Sequence, residues 1–127
     1  MIVGTPQSFY TPFYWPEGAT QGGNTIEEFV GCPVGVRLAG FEVYIDVVNT
    51  VGASTLVLTN VGTTNTMLSA ASFDLTGLAA DTMTTMTLAT EADLRLAANG
   101  LMKIGVTSSD AGYDGSGLIL YPHFLAV

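Results

Sequence analysis

The stretch FEVYIDV, residues 41–47, decides the fold class. Apolar residues occupy every second position of it, and Glu42, Tyr44 and Asp46 occupy the positions between them. Successive side chains of a β-strand point to opposite faces, so this period predicts a strand with one buried and one solvated face.

The same alternation runs back toward the N-terminus, but its phase changes at Gly40. Val36 and Leu38 keep the spacing of two and fall out of step with Phe41 and Val43. One extra residue in a strand produces such a change and bends the strand locally. The sequence therefore predicts a β-bulge at Gly40.

Further short apolar or threonine-rich segments follow, separated by glycine, asparagine and aspartate. They are TLVLT (55–59), MTTMTL (83–88), LMKIGVT (101–107) and GLILYPHFLAV (117–127). Strands spaced by about ten residues, with no long segment of helical period, predict an all-β, single-domain β-sandwich that is jelly-roll-like. Pro122 lacks an N–H group, which predicts a sheet edge or a bulge for the last strand.

Residues 90–100 allow two interpretations. TEAD (90–93) resembles a capping box, which would begin a short helix that ends at Asn99 and Gly100. Alternatively, Leu94 and Leu96 are strand residues, and Asn-Gly forms a tight hairpin turn into the next strand. The hairpin is the favoured interpretation, and any helix is expected to be confined to a turn or two here.

The chain divides at about residue 24 into an extended arm rich in proline, aromatic residues and glycine (1–24) and a β-sandwich domain (25–127). Prolines at this spacing prevent a helix. The arm is predicted to supply interface residues, which are Phe9, Tyr10, Phe13, Tyr14 and Trp15. Two interpretations stay open: the rings fill the core of the domain itself, or they anchor the arm on a neighbouring subunit.

The balance of charges excludes several classes of partner. Three Lys and Arg residues against eleven acidic residues give a net charge of −8, which disfavours nucleic acid and anionic membrane surfaces. The longest uncharged stretch, residues 47–73, is interrupted by Asn, Gly and Thr and does not read as a membrane span. No Lys or Arg precedes Arg37, so we expect synthesis in the cytoplasm without a secretory signal.

The side chains that perform catalysis are nearly absent. His123 is the only histidine, and Ser116 does not lie in a G-x-S-x-G elbow. Glu27 and Glu28 are adjacent, which points them to opposite faces of a strand. Cys32 is the only cysteine and reads as a small buried hydrophobe. The sequence therefore predicts a protein that is not an enzyme and needs no cofactor.

The loop DAGYDGSG, residues 110–117, is the best candidate for a metal site. Asp110 and Asp114 are weak candidate ligands, because carboxylates beside a glycine-rich turn suit calcium. The spacing does not match an EF-hand, and the same residues fill ordinary solvated loops. No metal site is favoured.

Lys103 is the only lysine, so the predicted strands lack the residue that most often protects open sheet edges. Such edges should be covered by the arm or by another subunit. This favours a homo-oligomer or a component of a larger assembly.

Three passages resemble the β-sandwich proteins that tailed bacteriophages attach to their virions. They are GVRLAGFEVYI (35–45) leading into STLVL (54–58), then LRLAANGLMKI (94–104), then the closing strand GLILY (117–121). The resemblance covers the chain from about Val36 onward and implies a capsid decoration (cement) or head-fibre protein. Such a protein would bind the major capsid protein on the capsid exterior, and a trimer is the state most readily implied.

A second function stays open beside the first. A carbohydrate-binding sandwich in a tail or adhesin, assisted by calcium, would use exposed aromatic residues such as Trp15, Tyr113 or Tyr121. Aromatic residues clustered on a sheet face would favour glycan binding, and an apolar patch along an arm or edge would favour decoration. A small hydrolase ranks behind both.

Overall fold

The structure, a computed structural model, describes residues 8–10, 13–14, 25–48, 50, 53–108 and 115–127. The described part contains ten β-strands and two short 3₁₀ turns, Leu75–Gly77 and Glu91–Leu94. The strands are β1 Ser8–Tyr10, β2 Phe13–Tyr14, β3 Thr25–Gly31, β4 Val36–Tyr44, β5 Ser54–Asn60, β6 Phe73–Asp74, β7 Thr84–Thr85, β8 Arg95–Leu96, β9 Leu101–Ser108 and β10 Ile119–Ala126.

The strands form two antiparallel sheets. The first has the order β1-β10-β4-β7, with β2 also on β10 and β8 also on β4, and the second has the order β3-β9-β5-β6. The eight strands of the two main paths, renumbered along the chain, give the orders 1-8-3-6 and 2-7-4-5. These are the two interleaved Greek keys of a jelly roll. The predicted all-β, jelly-roll-like sandwich is confirmed.

The core lies between the two sheets and follows the alternation read from the sequence. In β4, Phe41 and Val43 are fully buried, while the alternate residues Glu42 and Tyr44 are partly exposed. From the second sheet, Leu56, Leu58 and other fully buried side chains meet them. Removing such side chains from water is the main force that holds the sandwich together.

The predicted bulge is confirmed. Along β10, His123 pairs with Gly40 and the next residue, Phe124, pairs with Leu38, so Ala39 has no partner in the register. The extra residue brings both Leu38 and Phe41 to the buried face, which a regular strand would not do. The bulge therefore resolves the phase change in the sequence.

The edge position expected from Pro122 is wrong. β10 lies inside the first sheet, between β4 and the pair β1 and β2. β1 pairs with residues 123–125 and β2 with residues 119–120, so the described pairing stops on either side of Pro122. The register shift lies one residue further on, between His123 and Phe124.

The predicted hairpin at Asn99 and Gly100 is wrong, although the turn itself is present. Asn99 has a φ of 62°, and Gly100 N donates to Ala97 O at 2.8 Å. The strands on either side join different sheets, however, because β8 pairs with β4 and β9 pairs with β3 and β5. The alternative of helical structure is present only as the 3₁₀ turn Glu91–Leu94.

Part of the predicted arm runs along the first sheet, because β1 and β2 both pair with β10. This pairing agrees with the interpretation in which the segment is a first strand of the sandwich. The rest of the arm, including Trp15, lies outside the described residues. The boundary at residue 24 and the interface role of the arm stay predictions.

Candidate binding surface

Three connections meet at one end of the sandwich, which we call the apolar end. They are residues 32–35, 61–72 and 86–100. Backbone hydrogen bonds join them: Asn99 N donates to Cys32 O at 2.8 Å, and Ala89 N donates to Met67 O at 2.9 Å. The loops therefore form one continuous surface.

Exposed large hydrophobic residues concentrate at this end. Among the described residues, five of the seven lie in these connections or at the adjoining strand ends. They are Phe29 (52% exposed), Val34 (54%), Val61 (40%), Leu101 (39%) and Val127 (66%). The other two, Val47 and Met83, lie at the opposite end. Single exposed hydrophobics are ordinary, but a cluster of them marks a contact surface.

A glycine shapes one half of this surface. A Cβ atom added at Gly31 would lie 2.7 Å from Leu101 Cδ2, so the leucine side chain occupies the space that any other residue would fill. Phe29 is two residues away on the same strand, and Val61 N donates to Leu101 O at 3.0 Å. Phe29, Val61 and Leu101 therefore adjoin one another.

A second glycine joins the two valines of the other half. Val127 N donates to Gly35 O at 3.1 Å, and a Cβ atom added at Gly35 would lie 3.5 Å from Val127 Cγ2. Val34 precedes Gly35 directly, so Val34 and Val127 lie close together.

A cavity of about 240 Å³ opens at the apolar end. It is lined by Gly31, Cys32, Pro33, Asn99 and Leu101. Cys32 is half-buried and packs against the core, in agreement with its interpretation as a small hydrophobe. The cavity provides a recess beside the exposed hydrophobics.

The buried side chain of Asn60 holds the apolar end in shape. Its Nδ2 donates to Asp93 O at 3.1 Å and to Arg95 O at 2.8 Å. Its Oδ1 accepts from Gly62 N at 3.1 Å and from Thr63 N at 3.4 Å. Both functions of the amide are therefore used, as a buried polar group requires.

Three ion pairs lie near the apolar end. Glu91 Oε1 lies 3.0 Å from Arg95 Nη2 and 4.0 Å from Arg37 Nε. Lys103 Nζ lies 3.6 Å from Glu27 Oε1. Exposed ion pairs stabilise the fold little. Their effect here is that each cation of the chain has an acidic neighbour.

The opposite end is acidic. Asp46, Asp74 and Asp81 are exposed there, and the three cations of the chain lie elsewhere. Tyr44 Oη donates to Asp81 Oδ1 at 2.9 Å, which raises the pKa of Tyr44 above its ordinary value. Hydrogen bonds from the Thr76 hydroxyl and backbone N–H lower the pKa of Asp74. The two ends therefore differ in both charge and polarity.

For the predicted arm residues, the structure gives the strand pairing only. Phe9 pairs with Phe124 and Tyr10 with His123, while Phe13 pairs with Leu120 and Tyr14 with Ile119. Trp15 lies outside the described residues.

The weak metal candidates, Asp110 and Asp114, also lie outside the described residues. Within the part of the chain that is described, no group of three or more His, Cys, Asp or Glu side chains could hold a metal ion. Nor does any helix there have the length and apolar character needed to cross a membrane.

The candidate catalytic pair is not brought together. Ser116 bridges to Val47 beyond the end of β4, whereas His123 pairs with Gly40. Seven residues along β4 and its continuation to Val47 separate these two points, which corresponds to about 20 Å at the rise of an extended chain. A triad that uses both residues is therefore excluded by distance.

Two neighbouring grooves of about 510 and 260 Å³ share Leu68 and Ser69. Hydroxyl groups line much of them, and the Asp93 carboxylate in the larger groove accepts hydrogen bonds from Asn65 and Thr90.

Outside the grooves, Tyr44 and Tyr121 are half-buried on adjacent paired strands, β4 and β10.

Sequence reasoning missed the apolar end. The signal was present in GCPVG (31–35) and NVG (60–62), where Val34 and Val61 stand among turn residues that ordinarily carry polar neighbours. Nothing in the sequence indicated that these two turns lie at the same end.

No protein-family model matches this sequence, and no curated protein matches it. Two solved structures illustrate what it is similar to. "Structure of infectious bursal disease virus Gt strain" shares 13% identity at a TM-score of 0.38, over 97% of this chain and 32% of that chain. "Crystal structure of infectious bursal disease virus VP2 subviral particle" shares 13% at 0.34, with the same coverage. The chain spans about a third of their length, and similarities this weak carry no argument about its function.

Proposed function

We propose that this chain is a non-enzymatic virion structural protein, a capsid decoration (cement) protein that binds the outside of a phage head and stabilises it. The observation that carries the proposal is the apolar end. Five exposed hydrophobic side chains there offer contact area, and three ion pairs within the chain lie beside them. Such a surface acts by removing apolar area from water.

The rest of the described molecule supports binding rather than chemistry. The one histidine is about 20 Å along the sheet from the candidate serine, as the strand rise gives. The fold is a jelly roll, an architecture common in capsid and lectin domains. Fold alone does not fix a function, so the surface is what distinguishes the candidates.

The proposed partner is the major capsid protein, and the proposed working state is a homo-oligomer, with a trimer as the expected form. Phe9, Tyr10, Phe13, Tyr14 and Trp15 would add anchors if the segment that carries them reaches a neighbour. The proposed location is the capsid exterior, after synthesis in the host cytoplasm.

Co-sedimentation with empty phage heads tests this function. The purified protein should pellet with the heads and saturate at a fixed number of copies, and the decorated heads should disassemble at a higher temperature than bare ones. Heads stripped of the protein and then reloaded provide the matched control. Failure to pellet with any head, together with unchanged head stability, would contradict the proposal.

Glycan binding is the second candidate, because Tyr44 and Tyr121 lie on neighbouring strands of one rigid sheet. Aromatic faces and hydroxyl-lined grooves are features that a sugar site uses. Calorimetry against glycans from a host surface, with and without a calcium chelator, tests it. The Tyr121→Ala variant should lose the binding, and the Val47→Ala variant should retain it.

A further inference from the structure

We infer that the larger groove of the apolar end takes a basic side chain of the partner protein, an arginine by its geometry, and that Asp93 is the residue that binds it. This deepens the proposed function and rests on it, because it names the chemistry of the capsid surface that the apolar end would contact. Three features of the groove support it: its place beside the exposed hydrophobics, the Asp93 carboxylate, and the apolar floor next to that carboxylate.

The groove adjoins the exposed hydrophobic residues. All of its lining residues belong to the connections 61–72 and 86–100. Asn60 N donates to Asn65 O at 2.9 Å, and Val61 follows Asn60 directly. Because Asn65 lines the groove, a partner that covers Val61 also lies beside the groove.

The Asp93 carboxylate is held in one orientation. Asn65 Nδ2 donates to Asp93 Oδ1 at 2.8 Å, and the Thr90 hydroxyl donates to Asp93 Oδ2 at 3.3 Å. The backbone is fixed as well, since the buried Asn60 donates to Asp93 O at 3.1 Å. An ionised carboxylate has about four acceptor sites, so each oxygen retains capacity for a donor from outside. Two oxygens that each accept one more hydrogen bond match the paired N–H groups of a guanidinium.

The carboxylate lacks a counter-ion from its own chain. Among the described residues no ion pair includes Asp93, and the three Lys and Arg side chains pair with Glu91 and Glu27 instead. Asp93 is half-buried in the groove, where a cation of a partner would form charge-assisted hydrogen bonds. The net charge of −8 also draws a basic surface toward the molecule.

The floor of the groove suits the stem of a long basic side chain. Leu68 is buried, and Leu88 and Ala89 are half-buried against the core. Arginine lays its methylene groups along such a surface and keeps its charged head at the polar end. The groove, of about 510 Å³, has room for this side chain. The described residues that line it include no aromatic ring on which a sugar could stack and no cation that would bind an anion.

Three variants that each raise the net charge of −8 by one unit test the inference. Asp93→Asn removes the carboxylate, and Ser69→Arg places a guanidinium of the chain itself at the groove. Asp81→Asn is the matched control, because Asp81 is exposed at the opposite end. Circular dichroism and thermal melting confirm that each variant folds. Since the net charge is equal, long-range attraction changes equally, and differences in binding report contacts at the groove.

Affinity for phage heads is measured by co-sedimentation at constant ionic strength. Asp93→Asn and Ser69→Arg should each raise the Kd at least about tenfold, whereas Asp81→Asn should change it by less than about threefold. Equal affinities of the three folded variants would overturn the inference and leave the proposed function standing.

A small probe separates the inference from the proposed function. N-acetyl-arginine amide is added up to about 50 mM, the range of a weak contact by one side chain, and the amide NMR signals of Asn65, Ser69 and Thr90 are followed. The uncharged N-acetyl-citrulline amide is the control probe, with sodium chloride added to equal ionic strength. The arginine probe should shift these signals in the unaltered protein and leave them in place in Asp93→Asn.

The two probes divide the outcomes. Shifts with the arginine probe but no binding to any head would reject the proposed function and leave the arginine site standing. No shift with the arginine probe, equal shifts with both probes, or shifts that persist in Asp93→Asn would overturn the inference.

Discussion

The amide of Asn60 donates to the carbonyl oxygen of Arg95 at 2.8 Å and thereby ties the end of β5 in one sheet to β8 in the other. The side chain is 3% exposed, so this link is shielded from water. It fixes two of the three connections of the apolar end relative to each other.

We predict that Asn60→Ala lowers the free energy of unfolding by about 2–4 kcal/mol, because several buried backbone groups lose their partner at about 1–3 kcal/mol each. Urea denaturation measures the change. Asn65→Ala is the control, since Asn65 is exposed and should cost less than about 1 kcal/mol. Equal losses in the two variants would contradict the structural role of Asn60.

Gly117 is predicted to tolerate no side chain. Its φ is 68°, and an added Cβ atom would lie 2.5 Å from the Cβ atom of Asp46. Gly117→Ala should therefore lower stability by about 2 kcal/mol or more, from backbone strain and the clash together. Gly105→Ala is the matched control, because the space around it is open and alanine in a strand should raise stability by about 0.4–1 kcal/mol. Thermal melting of both variants measures the difference in their stability.

The aromatic residues of the arm can be tested one at a time. Phe9 and Phe13 pair in register with the buried Phe124 and Leu120. If the segment is a structural first strand, we expect Phe9→Ala and Phe13→Ala each to lower the unfolding free energy by about 3–5 kcal/mol, as for a core ring. Tyr10→Ala and Tyr14→Ala should cost less, because their partners are partly exposed.

Chemical denaturation of these four variants measures the stability, and co-sedimentation measures attachment. If all four variants keep their stability but no longer attach to heads or to sister subunits, the docking arm is supported and the first-strand interpretation is rejected. Deletion of residues 1–16 distinguishes the same two interpretations. The deletion should unfold the sandwich if the segment is a first strand, and it should only abolish attachment if the segment is a docking arm.

The pKa of Tyr44 should depend on Asp81. The carboxylate accepts the phenol hydrogen bond and so favours the neutral phenol, which raises the pKa above 10.0. The resulting stability is fully present below pH 10 and is lost as the pH rises through the higher folded value. Asp81→Asn should lower the pKa of Tyr44 toward 10, measured by NMR of labelled tyrosine. Asp74→Asn, at the same end, should leave it unchanged.

The fold was accessible from the sequence where a single strand carries its own pattern. The alternation around Phe41 and Val43 specified the buried face of β4, and its phase change at Gly40 specified the bulge. Both are local consequences of the period-two geometry of a strand.

The pairing of strands is not local, and this explains why the predicted hairpin is wrong. Asn99 and Gly100 encode a turn, but not the sheet that each flanking strand joins.

The candidate binding surface could not be predicted from the sequence, because it also depends on contacts between distant segments. Val34, Val61 and Val127 are far apart along the chain, and only the Greek-key connections bring them to one end. The arm residues could be named from the sequence because five aromatic residues lie within residues 9–15. Which exposed residues cluster depends on the folded structure, whereas the density of aromatic residues can be counted within one segment of the sequence.

The place of β10 in the first sheet has a consequence for how the chain folds. β10 pairs with β1 on one side and β4 on the other, so residues 8–10 meet residues 123–125 across nearly the whole sequence. Because β10 follows the other nine described strands along the chain, the first sheet cannot be completed until all of them have been synthesised. Ordering such distant segments requires a costly loop closure before any contact forms, which slows folding. Folding is therefore expected to be slow, and the apolar end would stay incomplete until β10 inserts and Val127 meets Gly35.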